Sequence, residues 1–225
     1  MRSTNLRPRR ATATIKSEPY FALPSGRGPG VLVIHPWWGL TSAVRDICDR
    51  LAKEGFVAIA PDLYGGKLAH TAREARALRS ARRAEPMWRT ISRALDTLLA
   101  HEATQTRRAG VLGLSMGGHW ALWFAARPGS PIAAAVVFYA ARAAAFARGP
   151  DAAFQFHLAE RDDFVSPAAL ARMQKALRLA GRRSETWVYP GTGHWFFEPD
   201  RPEHDAKAAA LAWTRTLAFL RRELR

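Results

Sequence analysis

Short apolar runs alternate with helix-patterned stretches along most of this chain, and no other feature narrows the fold as far. The runs fall at residues 31–34, 56–60, 109–114, 133–139, 154–158 and 185–189. They have strand length, and most are ended by Pro, Gly or an acidic residue. Helices are predicted between them over 42–54, 69–101, 117–126, 164–180 and 203–224, with Pro86 dividing the long second stretch in two. Thr41 or Ser42 suits the cap of the first helix and Gly55 its end, while Pro167 after Ser166 suits a first helical turn. Strands joined in this way through helices pack as a mostly parallel sheet with helices on both faces, so the expected class is α/β. Ligands in such sheets sit at the carboxyl ends of the strands. Chemistry is therefore expected in segments 35–39, 62–66, 115–118, 139–142, 160–165 and 191–195.

Composition agrees with a packed enzyme-sized domain. Hydrophobic residues make up 48% of 225, enough apolar material to exclude wholesale disorder. Residues 1–10 read as a flexible basic tail and 11–225 as one domain, with short β-prone pieces broken by Pro19 and a turn at 25–30. The single cysteine, Cys48, excludes an intrachain disulfide and falls in a helical apolar stripe with Val44, Ile47 and Leu51. The formal charge is +15, yet the arginines are scattered with no recognition motif to organise them. A solvated basic surface is the expectation, and nucleic acid is not expected as a partner. The basic N-terminus lacks an apolar segment behind Arg9 and Arg10, and no apolar run approaches the ~20 residues a bilayer requires. A cytoplasmic protein without membrane contact is expected.

The sharpest motif is Gly113-Leu114-Ser115-Met116-Gly117, followed by Gly118. A serine at a tight strand-to-helix turn exposes its Oγ, and the flanking glycines let neighbouring backbone pass close by. The helix behind it aims amide groups and the positive end of its dipole at the reacting carbonyl. Such a serine needs a base and then a carboxylate to orient that base, and both stand at strand ends later in the chain. His194 lies between Gly193 and Trp195 after the last predicted strand. The acidic loop after 154–158 offers Asp162 and Asp163, of which one should face inward, and Glu160 closer to the strand end.

Six further histidines are given other roles. His35 is placed where it could shape the pocket, His119 and His157 in packing, and His70, His101 and His204 on exposed helical surfaces. No His or Cys pair has metal-ligand spacing, and no metal or cofactor is expected. The backbone amide of Met116 is the first expected oxyanion donor. Pro36 has no N–H, which leaves Trp37 as the second. His35, Trp38, Trp195 and Phe196 are expected to form the pocket with Trp37, and the aromatic density suggests an apolar or aromatic acyl group. A small-molecule ester or lactone is the expected partner. The rival reading keeps the same fold as a binding module without catalysis.

At this point the segments HPWWGLTSAVRDICDRLAKEGFVAIAPDLYGG, GVLGLSMGG, ERDDFVSP and YPGTGHWFFEPDRPEHDAKAAALAWTRTLAFLRREL, spanning roughly residues 31–224, resemble the dienelactone hydrolase family. The resemblance implies an α/β-hydrolase fold without a large cap, with the acid at Asp162, the histidine at His194 and the oxyanion amides at Trp37 and Met116. It also exposes departures. The family's nucleophile is usually cysteine where this chain has Ser115, and many members have glutamate where it has Pro36. The family holds its substrate's carboxylate with a serine and an arginine just after the histidine, positions that here read Trp195 and Glu198. A serine hydrolase acting on a neutral, more hydrophobic ester is the resulting expectation.

Overall fold

The computed structural model describes residues 17–225; the tail predicted over 1–10 lies outside them. A seven-stranded sheet has the order β1-β3-β2-β4-β5-β6-β7. Its strands are β1 (Tyr20–Ala22), β2 (Gly30–Ile34), β3 (Val57–Ala60), β4 (Ala109–Leu114), β5 (Ile132–Phe138), β6 (Ala153–Arg161) and β7 (Ser184–Gly193). All neighbours run parallel except β1, which pairs antiparallel with β3 at one edge. The helices are α1 (Ser42–Lys53), α2 (Ala72–Ser80), α3 (Ala84–Ala100), α4 (Met116–Ala125), α5 (Pro167–Leu179) and α6 (Ala206–Glu223). No large cap is present among the described residues.

The two faces of the sheet carry separate cores, and strand periodicity assigns residues to each. Val31 and Val33 of β2 pack with Val44, Ile47 and Leu51 of α1 and with Ala212 and Leu217 of α6. Leu32 and Ile34 point the other way, joining Leu95 and Leu98 of α3, Leu122 of α4 and Met173 of α5. Central strands buried on both faces read as continuous apolar runs, which is why their positions were legible in the sequence. Cys48 is fully buried in the α1 stripe, as the spacing predicts.

Some boundaries differ from expectation. The break in the long helical stretch falls at 81–83, ahead of Pro86, which sits in the first turn of α3. A first turn has free amide positions, so proline is accommodated there and need not interrupt a helix. Thr41 does precede α1, but its hydroxyl makes no capping hydrogen bond. The larger differences are in β6 and β7, which run past their predicted ends to Arg161 and Gly193. A register shift between Ala159 and Arg161 lets that pairing continue, so Arg161 stands opposite Gly193. The next residues of the two strands, Asp162 and His194, are thereby brought side by side.

Candidate active site

The connections from β2 run to β3 on one side and, through β3, α2 and α3, to β4 on the other. The sheet's topological switch point therefore lies between β2 and β4. The loop 35–39 leaves the carboxyl end of β2, and Ser115 follows the carboxyl end of β4. Ser115 has φ 50° and ψ −109°, a conformation uncommon for a residue with a side chain. Close packing forces that turn. A Cβ on Gly117 would lie 2.0 Å from the Ile34 carbonyl oxygen, and one on Gly113 2.3 Å from the Gly117 oxygen. The elbow thus fits only with glycine on both sides of the serine.

Ser115 Oγ lies 2.9 Å from His194 Nε2. On the far side of the ring, His194 Nδ1 lies 2.8 and 2.9 Å from the two carboxylate oxygens of Asp162. Asp162 Oδ1 also accepts from the Phe164 and Val165 amides, at 2.8 and 3.0 Å. Backbone thus fixes the carboxylate, and the carboxylate fixes the ring with Nδ1 as donor and Nε2 free to face the serine. Of the three acids considered, the structure brings only Asp162 to His194. Asp163 is exposed, and Glu160 accepts from the Gly191 amide at 2.9 Å.

Met116 opens α4, so its amide has no intrahelical acceptor. The Trp37 amide is oriented by an unexpected partner. His35 Nε2 accepts from the Leu63 amide at 3.1 Å, which makes Nδ1 the protonated nitrogen, and Nδ1 donates to the Pro36 carbonyl at 2.6 Å. Complete burial pushes the pKa of His35 down and keeps it neutral in that tautomer. Because C=O and N–H of one peptide point in opposite directions, holding the Pro36 oxygen aims the Trp37 N–H.

A cavity of about 1110 Å³ opens over Ser115 and is lined by Trp37, Met116, His194 and Trp195. His35, Trp38 and Phe196, expected on its wall, lie behind it. Trp38 is buried beneath Trp37 and Trp195, each with its ring centroid 5.3 Å away. Phe196 is fully buried against Tyr139 and Tyr189. Aromatic character alone could not separate rings on the wall from rings that support it. The wall also holds residues that were not anticipated. Phe164, 53% exposed, lies 4.6 Å from the His194 ring and 5.2 Å from Trp195. Its place directly after the acidic loop was the available clue. Trp88, Trp120 and Trp123 line the far side with Arg76, Arg79, Arg82, Arg127 and Arg142. His119 is there too, its pKa pushed down to about 4 by burial and then by Arg142 and Arg79.

Beneath His194 sits a buried acid–phenol pair. Tyr139, with φ 37°, has its ring 4.8 Å from His194 and donates to Glu198 Oε1 at 2.6 Å. Glu198 is buried, its Oε2 has no partner, and burial raises its pKa to about 8. No cluster of three or more His, Cys, Asp or Glu positioned for a metal occurs among the described residues.

The fold and the elbow serine at its switch point define an α/β-hydrolase. The dienelactone hydrolase family profile matches residues 18–224, and the chain belongs to that family. It is 34% identical over 219 residues to "Protein usf" of Aquifex pyrophilus, covering 93% of this chain and 95% of that protein. It is 31% identical over 220 residues to a protein of Aquifex aeolicus (strain VF5) provisionally named carboxymethylenebutenolidase, covering 94% of this chain and 95% of that one. Its fold matches the crystal structure of a dienelactone hydrolase-like promiscuous phosphotriesterase from metagenomic libraries with a TM-score of 0.78. That match has 24% identity and covers 89% of each chain. No helix among the described residues is long and apolar enough to cross a membrane.

Proposed function

We propose that this protein is a serine hydrolase that cleaves a carboxylic ester or lactone through an acyl-enzyme, with Ser115 as nucleophile, His194 as base and Asp162 as the acid that orients it. The observation that carries the reading is the continuous chain from Ser115 Oγ through His194 to Asp162, with both links at 2.8 to 2.9 Å. A serine hydroxyl is a weak nucleophile at neutral pH, and an imidazole in hydrogen-bond contact relieves that by taking its proton during attack.

In the first half-reaction, Ser115 Oγ bonds to the substrate carbonyl carbon as its proton passes to His194 Nε2. The carbonyl oxygen gains negative charge and accepts hydrogen bonds from the Met116 and Trp37 amides; each such donor is typically worth about 3 kcal/mol at the transition state. Asp162 stabilises the imidazolium without taking its proton. Collapse of the intermediate breaks the carbon–oxygen bond to the leaving alcohol, which departs with the proton from His194. In the second half, water adds to the acyl carbon, loses its proton to His194, and releases the acid together with free Ser115. Trp37, Trp195 and Phe164 surround the reacting carbon and support an apolar or aromatic acyl group.

The test is hydrolysis of 4-nitrophenyl butyrate together with covalent labelling by a fluorophosphonate. Wild-type protein should turn the ester over and carry the label on Ser115. Ser115→Ala should lose the label and at least about 10⁴-fold in kcat. Full activity in Ser115→Ala would sink the proposal.

A further inference from the structure

Two buried polar residues lie against the site without a part in the steps above. Tyr139 follows β5 directly, and Glu198 stands in the turns after His194, each only 1% exposed. Their side chains meet where the Tyr139 hydroxyl donates to Glu198 Oε1 at 2.6 Å. A leucine would fill the space of Glu198 without the cost of burying a carboxyl group, one of whose oxygens, Oε2, has no partner. Packing alone therefore does not account for this acid.

The backbone gives the pair its meaning. Tyr139 has φ 37° and Ser115 φ 50°, and among the described residues no other non-glycine residue has a positive φ. The two are neighbours, since the Ser115 amide donates to the Phe138 carbonyl at 3.1 Å and the Tyr139 amide to the His157 carbonyl at 2.7 Å. A left-handed backbone at tyrosine is unfavourable, by an amount of the same order as one buried hydrogen bond. Glu198 belongs instead to the loop that carries His194. Its amide donates to the Trp195 carbonyl at 3.0 Å, and its carbonyl accepts from the Arg201 amide at 3.1 Å. The phenol–acid bond is thus a strut between the end of β5, beside the nucleophile, and the loop of the base.

The strut passes under the imidazole. The hydrogen bonds of His194 to Asp162 and Ser115 act along the ring's edges and do not resist tilting about the line that joins them. Tilting is limited by neighbouring rings: Phe164 at 4.6 Å, Tyr139 at 4.8 Å and Trp195 at 5.1 Å. Phe164 is 53% exposed, whereas Tyr139 is buried and anchored at its hydroxyl. We infer that Glu198 is a positioning residue for the reaction: by accepting from Tyr139 it holds the phenol ring in place beneath His194 and keeps Nε2 aimed at Ser115 Oγ. This deepens the proposed hydrolase reading and rests on it. Glu198 acts only through Tyr139 and His194, because it is not among the residues that line the cavity.

The test is a cycle of variants assayed with 4-nitrophenyl butyrate. Tyr139→Phe keeps the ring and removes its anchor, and should lower kcat about tenfold with KM changed less than about twofold. Glu198→Leu should do the same. Tyr139→Phe/Glu198→Leu should lose no more than either alone, because all three lack the same bond. Glu198→Gln keeps an acceptor and should recover at least about fivefold in kcat over Glu198→Leu. Unchanged kcat in Tyr139→Phe, or a loss in the double variant near the product of the single losses, would overturn the inference while leaving the hydrolase reading intact. If Glu198→Leu does not fold, kcat in Tyr139→Phe and in Glu198→Gln decides, and equal losses in those two would overturn it. A second readout does not depend on turnover: the low-field NMR signal of the His194 Nδ1–H, assigned by its absence in Asp162→Asn. It should persist in Glu198→Gln and broaden or vanish in Tyr139→Phe. If wild-type protein leaves the ester and the fluorophosphonate untouched but the signal behaves in this way, the hydrolase reading fails and the positioning of His194 stands. An inert wild type whose signal is unchanged in Tyr139→Phe would overturn both.

Discussion

Glu198 is a buried acid whose charge should cost this fold several kcal/mol, and Glu198→Gln isolates that cost. The side chain lies among Tyr139, Asp200, Arg201 and Glu203, with burial the dominant influence on it. Folding raises its pKa from 4.5 to about 8, so between those values the folded state binds a proton that the unfolded chain has released. Stability from this group is therefore complete below about pH 4.5 and declines as pH rises through about 8. At about 1.4 kcal/mol per pH unit, the whole interval is worth roughly 5 kcal/mol, of which about 4 should appear between pH 5 and pH 9. Glutamine keeps an oxygen for the Tyr139 hydroxyl and cannot ionise. Urea unfolding of both proteins at pH 5 and pH 9 gives a double difference in which all other titrating groups cancel. The variant should gain about 4 kcal/mol relative to wild type on going to pH 9, with unchanged m. A relative stability that stays constant within about 1 kcal/mol across that range would show that Glu198 is not held in its acid form.

Three further substitutions test the construction of the site. Asp162→Asn should leave Ser115 in place but favour the wrong His194 tautomer, lowering kcat for a 4-nitrophenyl ester by about 10⁴. Gly117→Ala drives a Cβ toward the Ile34 and His35 carbonyl oxygens, at 2.0 and 2.8 Å, and should cost about 3 kcal/mol or more in urea unfolding. His35→Ala frees the Pro36–Trp37 peptide and leaves the Leu63 amide unpaired. It should reduce kcat more than tenfold with little change in KM, read by steady-state kinetics beside intact fluorophosphonate labelling.

What the sequence revealed and what it hid have physical reasons. The elbow was legible because its constraint is local: two glycines four residues apart around Ser115 leave few alternatives to a tight strand-to-helix turn. The central strands were legible because burial on both faces removes polar residues from them. Asp162 and His194 were expected as partners from their places at strand ends and from the family resemblance. The strand geometry that sets Asp162, rather than Glu160 or Asp163, beside the ring was not legible, because it depends on a register shift in β6 and on β7 continuing through Pro190 and Gly191. Proline and glycine ordinarily mark a strand end, and here they lie on the last strand of the sheet, where only one side needs pairing. Trp38 and Phe196 were misplaced for a different reason. A ring's position relative to a cavity is decided by which other rings it packs beneath, and no spacing rule encodes that. The α2 arginines are exposed, as a solvated basic face predicts, and only tertiary structure shows that Arg76 and Arg79 also stand at the cavity over Ser115.

Helix α2 buries only Ala75, and its start is secured by a capping box between Thr71 and Glu74. Its outward positions are thus almost free of duties toward the core, unlike those of α1 or α4. Substitutions at 76 and 79, on the rim of the cavity, should therefore come at little expense to the scaffold. One side of the cavity's rim thus rests on a lightly anchored helix, whereas the turns that carry Ser115, Asp162 and His194 are fixed by close backbone packing and strand pairing.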